Sequence, residues 1–362
     1  MKSPVLMLLA ALVFASSARA QPQCNAHFTT PCPGGFDFRS LICNMKSYDP
    51  IKFNPHMTPD SQYTPPMCDS ANVPAQNLKD RLKDAYDLAS ASVKAKLCKL
   101  DQVFVTTDSS YTTSAREPLG IWEAPARGGK VYIAIPDHIL TSASSLADEE
   151  NGILARLLTD PKAPGRSLPS FRSNNAPAKT PAAAILAVLA HELGHILLAD
   201  GNLDGAGASH PRPCSAPKDT CFLHNFLGPP NGTTLWNRAH FHRNMRRWVG
   251  FGATNGNTYL NTDVNFSAIK NQINDPTRDM DSTARVRKIY LAGLASVFAA
   301  VSPEEDFVET YKYKVLAAAR DSSGASIDLS LDYPSGSPTT IDVLSPLRTP
   351  AGDLADKIRC VP

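Results

Sequence analysis

The residues with the clearest capacity for chemistry are two histidines and a glutamate in the run HELGH, at 191 to 195. His191 and His195 lie four positions apart, so on a helix both imidazoles project from one face about one turn apart. Two imidazoles placed in this way can bind a single zinc ion. Glu192 lies beside them, where its carboxylate can accept a proton from a water molecule that the ion activates. The run therefore provides two metal ligands and a general base.

The element that must position these residues is a helix predicted from Thr180 to Gly201. Thr180 is a typical N-cap, Pro181 suits the first helical position, and Gly201 is typical of the residue after a last turn. The helix is apolar on nearly all sides, which indicates that it is buried at the centre of the protein. A charged Glu192 would be costly there without a metal site to serve. The alternative interpretation is two core histidines with a paired glutamate.

A catalytic zinc ion usually has three protein ligands and one open position. A third histidine soon after a glycine is excluded, because this chain has Leu198 and Gly201 at those two positions. The favoured ligand lies on a second predicted helix, Ser302 to Ala319, which begins with Ser302 as N-cap, a proline and several acids. Glu305 and Glu309 are four apart on it, so one can bind metal while the other supports a ligand histidine.

Two further histidines, His210 and His224, are alternative third ligands. Neither comes with a rigid element to hold it, which metal sites favour. His240 and His242 are two apart on a helix predicted from Thr234 to Val249, so they face different sides and are not expected to share an ion.

The run HELGH followed by EDFVETY resembles the gluzincin zinc metallopeptidases, which include secreted bacterial and toxin-like proteases. In that family a glutamate on a later helix completes the site. The resemblance implies that His191, His195 and Glu305 bind one zinc ion, that Glu192 is the general base, and that Glu309 supports a ligand histidine. It also implies a zincin-like fold, in which the edge strand of a sheet beside the active-site helix aligns an extended peptide. The chain departs from the best-known members in the long separation between its two helices.

The oxyanion formed during peptide hydrolysis needs a hydrogen-bond donor. Tyr311, Tyr313 and His240 are all candidates, and the sequence does not choose between them.

Residues 1 to 20 have the pattern of a secretory signal peptide, with Lys2, an apolar run from Val5 to Ala15, and Ala18-Arg19-Ala20 as the cleavage signal. The chain has 36 Lys and Arg against 34 Asp and Glu, and removal of Lys2 and Arg19 with the leader brings the formal charge to zero. We therefore expect a secreted or periplasmic protein that acts on a peptide or protein, with no nucleic-acid partner and no membrane association after signal removal.

Eight cysteines follow the leader, an even number that indicates up to four disulfides in an exported protein. Cys214 and Cys221 could close a small loop, Cys98 could staple a helix end, and Cys360 could tie back the C-terminus. Zinc ligation by cysteines is the competing interpretation, but the chain has no C-x-x-C pair.

We predict an N-terminal segment over 21–100 and a catalytic domain over 101–362. The first part is a Cys- and Pro-rich, loop-rich stretch to Ala75, which either covers the core or is removed as a pro-region, followed by one long amphipathic helix from Gln76 to Leu100. Strands are predicted at Gln102 to Thr107 and at Lys130 to Pro136. The second is the candidate edge strand, and an ordinary core strand is the alternative interpretation, because the sequence does not show which strand lies outermost. The later elements are a helix from Asp148 to Leu158, a long loop from Thr159 to Lys179, a helix from Asp281 to Val301, and a C-terminal hairpin after Ala325.

The fold expected is α+β, with a mixed sheet packed on a buried active-site helix, a mostly helical second half, and disulfides. The expected function is a zinc-dependent endopeptidase with one Zn²⁺ per chain. Two alternatives stay open: a non-catalytic binding protein with a zincin fold, and a zinc amidase acting on a non-protein substrate. The presence of Glu192 argues against the first, because a structural zinc site needs no base.

Overall fold

The computed structural model of the chain describes residues 32–47, 65–107, 118–122, 129–157, 169–200, 294–300, 303–334 and 339–350, with isolated positions near them and after 350. The strands are β1 (Ile42–Asn44), β2 (Gln102–Thr106), β3 (Leu119–Trp122), β4 (Val131–Pro136), β5 (Ser170–Ser173), β6 (Leu329–Asp332) and β7 (Thr340–Asp342). The helices are α1 (Gln76–Leu88), α2 (Ala91–Leu97), α3 (Asp137–Thr141), α4 (Leu146–Leu157), α5 (Pro181–Asp200), α6 (Pro303–Ala318) and α7 (Ser345–Arg348). The protein is therefore a mixed α+β structure.

The larger sheet is mixed and has the strand order β1-β2-β4-β3. Strands β1, β2 and β4 are parallel, whereas β3 runs antiparallel to β4. Because β4 is paired on both sides, the prediction that Lys130 to Pro136 forms the edge strand is wrong. All six residues of β4 are buried, as is typical of a central strand covered on both faces. Among the described strands, β3 is the outermost at this end, and it contacts α5.

The smaller sheet is antiparallel and has the order β5-β6-β7. Its β6 and β7 form the predicted C-terminal hairpin. Strand β5 was not predicted, because Ser170 to Ser173 carries one apolar residue, Phe171, within a stretch that we interpreted as a loop. Both backbone groups of Phe171 bond the side-chain amide of Asn151 on α4, and this tertiary contact supplies what the local sequence lacks.

The prediction of one long helix from Gln76 to Leu100 is wrong, because the structure has two helices there, α1 and α2. Ala89 and Ser90 have extended backbone and separate the helices. Ser90 is the N-cap residue of α2, and serine favours such positions over a helix interior.

Two disulfides join the N-terminal part of the structure, Cys32–Cys98 and Cys43–Cys68. The first anchors the end of α2, as predicted for Cys98. The second links β1 to the segment around residue 68. Strand β1 lies in the region that was predicted to be loop-rich, and it pairs in parallel with β2. The other four cysteines lie outside the described residues.

Helix α5 is the centre of the structure and contacts α6, α1, α4 and β3. Thr180 has the extended backbone expected before a helix, although its hydroxyl donates to the carbonyl of Pro177. Residues Pro181 to Leu198 are long and apolar enough to cross a membrane, but 72% of this window is buried inside the protein. The burial identifies α5 as the core helix that its sequence predicts.

Helix α6 confirms the predicted second helix. Before it, the prediction of a helix up to Val301 is wrong over 294–300, where the chain bends and makes a 3-10 turn at Phe298–Ala300. The hydroxyl of Ser296 accepts a hydrogen bond from the Ala299 N–H, a local bond that competes with continued helix. Most of the predicted helix from Asp281, the predicted helix from Thr234 to Val249, and much of the expected helical second half lie outside the described residues.

Candidate metal centre

The packing of α5 against α6 brings the predicted ligands together. The nearest ligand atoms of His191, His195 and Glu305 all lie within 4.8 Å of one another. The Nε2 atoms of the two histidines are 3.3 Å apart, and Nε2 of His195 is 3.5 Å from Oε1 of Glu305. Nε2 of His191 is 3.8 Å from Oε2 of the same carboxylate. Two imidazole nitrogens and one carboxylate thus converge on a single point.

A close approach of the two helices makes this convergence feasible. Gly194 lies between the histidines, and a Cβ at this position would be 3.2 Å from the Cα of Val308. Glycine therefore allows the backbone of α5 to pack directly against α6, one turn from Glu305. This glycine is the G of HELGH, and its packing role was not recognised from the sequence.

The three side chains lie at the border between the core and solvent. Their exposed fractions are 19% for His191, 33% for His195 and 18% for Glu305. Burial raises the pKa of Glu305 to about 7. Burial, assisted by the charge of His191, lowers the pKa of His195 to about 4. A neutral His195 has a lone pair available for a metal ion.

His191 is oriented by Glu309. Its Nδ1 lies 2.8 Å from Oε1 of Glu309, so Nδ1 carries the donated hydrogen and the neutral ring has its lone pair on Nε2. Burial lowers the pKa of His191, but the bond to Glu309 and the charges of Glu305, Glu192 and Glu309 outweigh it and raise the pKa to about 9. This carboxylate–histidine pair has the arrangement seen behind metal ligands in proteins.

Glu192 lies beside this cluster and not within it. Its side chain is buried, and its Oε2 accepts a 2.6 Å hydrogen bond from the backbone N–H of Gly120 in β3. A Cβ at Gly120 would lie 2.3 Å from the carbonyl oxygen of Glu192, so the strand and the helix touch backbone to backbone. Nothing in the sequence indicates that Gly120 belongs to the site, because its partner is 72 positions away.

Three further residues lie behind Glu309. Lys312 contacts both Glu309 and Glu150, and the Ser296 hydroxyl donates to Glu309. The charge of Lys312 and the bond to His191 outweigh the effect of burial and lower the pKa of Glu309 to about 2. Only the i,i+3 spacing of Glu309 and Lys312 could have indicated part of this network from the sequence.

The predicted oxyanion donors are not among the three residues of the metal cluster. Tyr311 and Tyr313 are buried, and burial raises the pKa of both hydroxyls above the usual value. Tyr311 packs beside Gly194 in the contact between α5 and α6. His240 lies outside the described residues, as do the alternative ligands His210 and His224. The identity of the oxyanion donor therefore stays a prediction.

Comparisons of this chain with protein-family models, with curated proteins and with solved structures gave no match. The functional assignment depends on the geometry of the site and on the resemblance of the two short motifs.

Proposed function

We propose that this protein is a secreted or periplasmic zinc-dependent endopeptidase with a zincin-like fold, of the gluzincin type. The observation that carries the proposal is the convergence of His191, His195 and Glu305 within 4.8 Å, beside Glu192. Two imidazoles and a carboxylate are a donor set that suits zinc and leaves one coordination position for a water molecule. The two disulfides support an oxidising compartment outside the cytoplasm.

The residues present fit a divalent cation. Because Nδ1 of His191 donates to Glu309, loss of the other ring proton would leave the lone pair on Nε2, which faces His195 and Glu305. The described residues also gather more carboxylates than cations, because Lys312 lies between Glu150 and Glu309, while the charges of Glu192 and Glu305 act on His191. A divalent ion at the cluster would offset this excess of negative charge.

The chain's own residues supply the proton chemistry. When bound, zinc would polarise the scissile carbonyl and lower the pKa of the attacking water. Glu192 takes the proton of that water and passes it to the leaving amine. Oε2 of Glu192 accepts from the Gly120 N–H, so within the described contacts Oε1 is the oxygen that can move the proton. The base thus has a fixed orientation before substrate arrives.

Strand β3 supports a peptide as the substrate. It is antiparallel to β4, is the outermost described strand on that side, and touches α5 at Glu192. An extended peptide that forms main-chain hydrogen bonds with the side of β3 that has no partner among the described strands would pass next to the general base. Strand β3 therefore replaces Lys130 to Pro136 as the candidate for substrate alignment.

The test is digestion of casein or gelatin by purified mature protein, with and without a zinc chelator, beside the variant Glu192→Gln. We expect hydrolysis that the chelator removes, that added zinc restores, and that the variant lacks. Zinc binding with no digestion of either protein would favour the binding-protein or amidase alternative. Digestion that persists in the presence of chelator or in Glu192→Gln would contradict the proposal.

A further inference from the structure

A lysine is buried between two carboxylates directly behind the candidate metal centre. Lys312 and Glu150 are 3% and 4% exposed, and Glu309 is 1% exposed. The Nζ of Lys312 lies 2.9 Å from Oε2 of Glu309 and 3.0 Å from Oε1 of Glu150. Removing three charges from water is costly, and apolar residues of similar size often give equal or greater stability. A contribution to stability alone is therefore a weak explanation for this triad.

The triad is connected to one metal ligand through Glu309. Oε1 of Glu309 accepts from Nδ1 of His191, while Oε2 accepts from Lys312 and from the Ser296 hydroxyl. Both oxygens are thus occupied by donors from three different directions. A carboxylate held in this way cannot rotate without breaking at least one charge-assisted hydrogen bond. The hydrogen bond to this carboxylate therefore also restricts rotation of the His191 imidazole.

Lys312 also connects three helices. It lies one turn after Glu309 on α6, and it reaches Glu150 on α4. Glu309 in turn reaches His191 on α5. The ammonium is further located by the ring of Tyr313, whose centroid is 4.8 Å from Nζ. A continuous series of contacts therefore runs from Glu150 through Lys312 and Glu309 to His191.

We propose that Lys312, held by Glu150, is a positioning residue of the metal centre. By fixing the Glu309 carboxylate in charge and orientation, it sets the direction in which the Nε2 atom of His191 points. The inference rests on the proposed function, because it assumes that His191 binds the metal. It assigns a role to Lys312 and Glu150, neither of which touches the cluster itself.

The test uses the double variant Glu150→Gln/Lys312→Met, which removes the buried ion pair without leaving either charge alone. In this variant Glu309 keeps only the Ser296 hydroxyl and the imidazole. We expect zinc affinity, measured by competition with a chromophoric chelator, to fall roughly tenfold or more, the usual effect of losing outer support for a ligand. The visible absorption bands of the cobalt-substituted protein should also shift, because the orientation of one ligand changes.

The matched control is Asp306→Asn/Lys357→Met. This pair is equally buried and is also anchored on α6, where Asp306 pairs with Lys357 and accepts from the Thr310 hydroxyl. We expect it to lower the melting temperature while leaving zinc affinity and the cobalt spectrum close to those of the wild type. Equal losses of zinc affinity in both double variants would show that destabilisation of α6 is sufficient, and would overturn the proposal. Unchanged affinity and spectrum in Glu150→Gln/Lys312→Met would overturn it as well.

These readouts separate the inference from the proposed function. If the wild-type protein binds zinc through His191 but hydrolyses no peptide, the proposed function fails and the role of Lys312 can still be measured. If the wild-type protein binds no zinc, or if the variant His191→Ala binds zinc as tightly as the wild type, both the proposed function and the inference about Lys312 fail.

Discussion

The backbone N–H of Gly120 donates a 2.6 Å hydrogen bond to Oε2 of Glu192, and this bond joins the outermost described strand of the mixed sheet to the central helix. The carboxylate of Glu192, the proposed general base, is thereby oriented by a main-chain donor, which has no side-chain rotamers. The same contact explains the glycine, since a Cβ there would lie 2.3 Å from the Glu192 carbonyl oxygen. A substitution at Gly120 should therefore impair proton transfer by Glu192 without changing the contacts of a proposed metal ligand.

We expect Gly120→Ala to lower kcat/KM about a hundredfold, because a shift of the strand by about 1 Å displaces the base from its working position. Zinc affinity should stay close to that of the wild type, because Gly120 contacts none of the three proposed ligands in the contacts described here. The two quantities are measured by peptide hydrolysis and by chelator competition.

Gly152→Ala is the matched control. Gly152 lies on α4, and a Cβ there would meet no atom within 4 Å. This variant should keep full activity and gain up to about 1 kcal/mol in the free energy of unfolding, because alanine favours a helix. Wild-type activity in Gly120→Ala would show that the bond to Glu192 has no part in catalysis.

The parts of this site that the sequence predicts are those whose interacting residues lie close together in the chain. HELGH and its caps predict α5, and Ser302-Pro303 with the following acids predict α6, because periodicity and capping are local signals. The grouping of Glu305 with the two histidines was expected from a family resemblance. The sequence does not predict Gly120, Glu150 and Ser296 as site residues. Each contacts the site through tertiary structure, and such contacts produce no regular spacing in the sequence.

The sheet shows the same limit. Val131 to Pro136 is a clear strand in the sequence, yet its place in the centre of the sheet is decided by pairing with both Gln102 to Thr106 and Leu119 to Trp122. Its continuous apolar character was the one signal for a central strand. The outermost described strand, LGIW, is four residues long, which is too short for a prediction from the sequence.

Glu192→Gln should bind zinc as tightly as the wild type and lose nearly all hydrolysis. The base is outside the ligand cluster, so the change removes proton transfer and leaves the ligands intact. Loss of a general base typically costs a factor of about 10² to 10⁴ in kcat. Zinc content by elemental analysis and turnover on a fluorogenic peptide give both values, and a variant with more than a tenth of wild-type turnover would refute this role.

Zinc affinity should rise with pH. His191 has a pKa of about 9, so in the metal-free protein it carries a proton at neutral pH that zinc must displace. Affinity should therefore increase about tenfold per pH unit from 7 to 9 and level off above that. Below about pH 7, Glu305 also binds a proton, so zinc affinity should change more steeply with pH there. Calorimetric titration in buffers of different ionisation enthalpy counts the protons released. An affinity that does not change between pH 7 and 9 would contradict the assignment of His191.

Purified protein should contain one zinc ion per chain. The Cys32–Cys98 and Cys43–Cys68 disulfides cross-link the N-terminal part of the structure whether or not metal is bound, so we expect the fold to survive chelation and activity to be lost reversibly. Circular dichroism before and after chelation should show retained secondary structure. Two or more zinc ions per chain would revive the interpretation that cysteines bind metal.

Glu305 and Glu309 share one face of α6, yet the structure gives them different positions. The carboxylate of Glu305 faces the Nε2 atoms of both histidines, whereas Glu309 accepts from the far side of His191, at Nδ1. Glu305→Ala should therefore abolish zinc binding, because only two ligands remain. Glu309→Ala removes support for one ligand and should weaken zinc affinity roughly ten- to a hundredfold.

Zinc content and affinity of the two alanine variants, measured at the same pH, separate these roles. Glu309→Gln is a useful third variant, because its amide oxygen can still accept the Nδ1 hydrogen while the negative charge is gone. We expect its affinity to lie between that of Glu309→Ala and the wild type. If Glu309→Ala empties the site while Glu305→Ala retains zinc, the ligand is one turn further along α6 than assigned here.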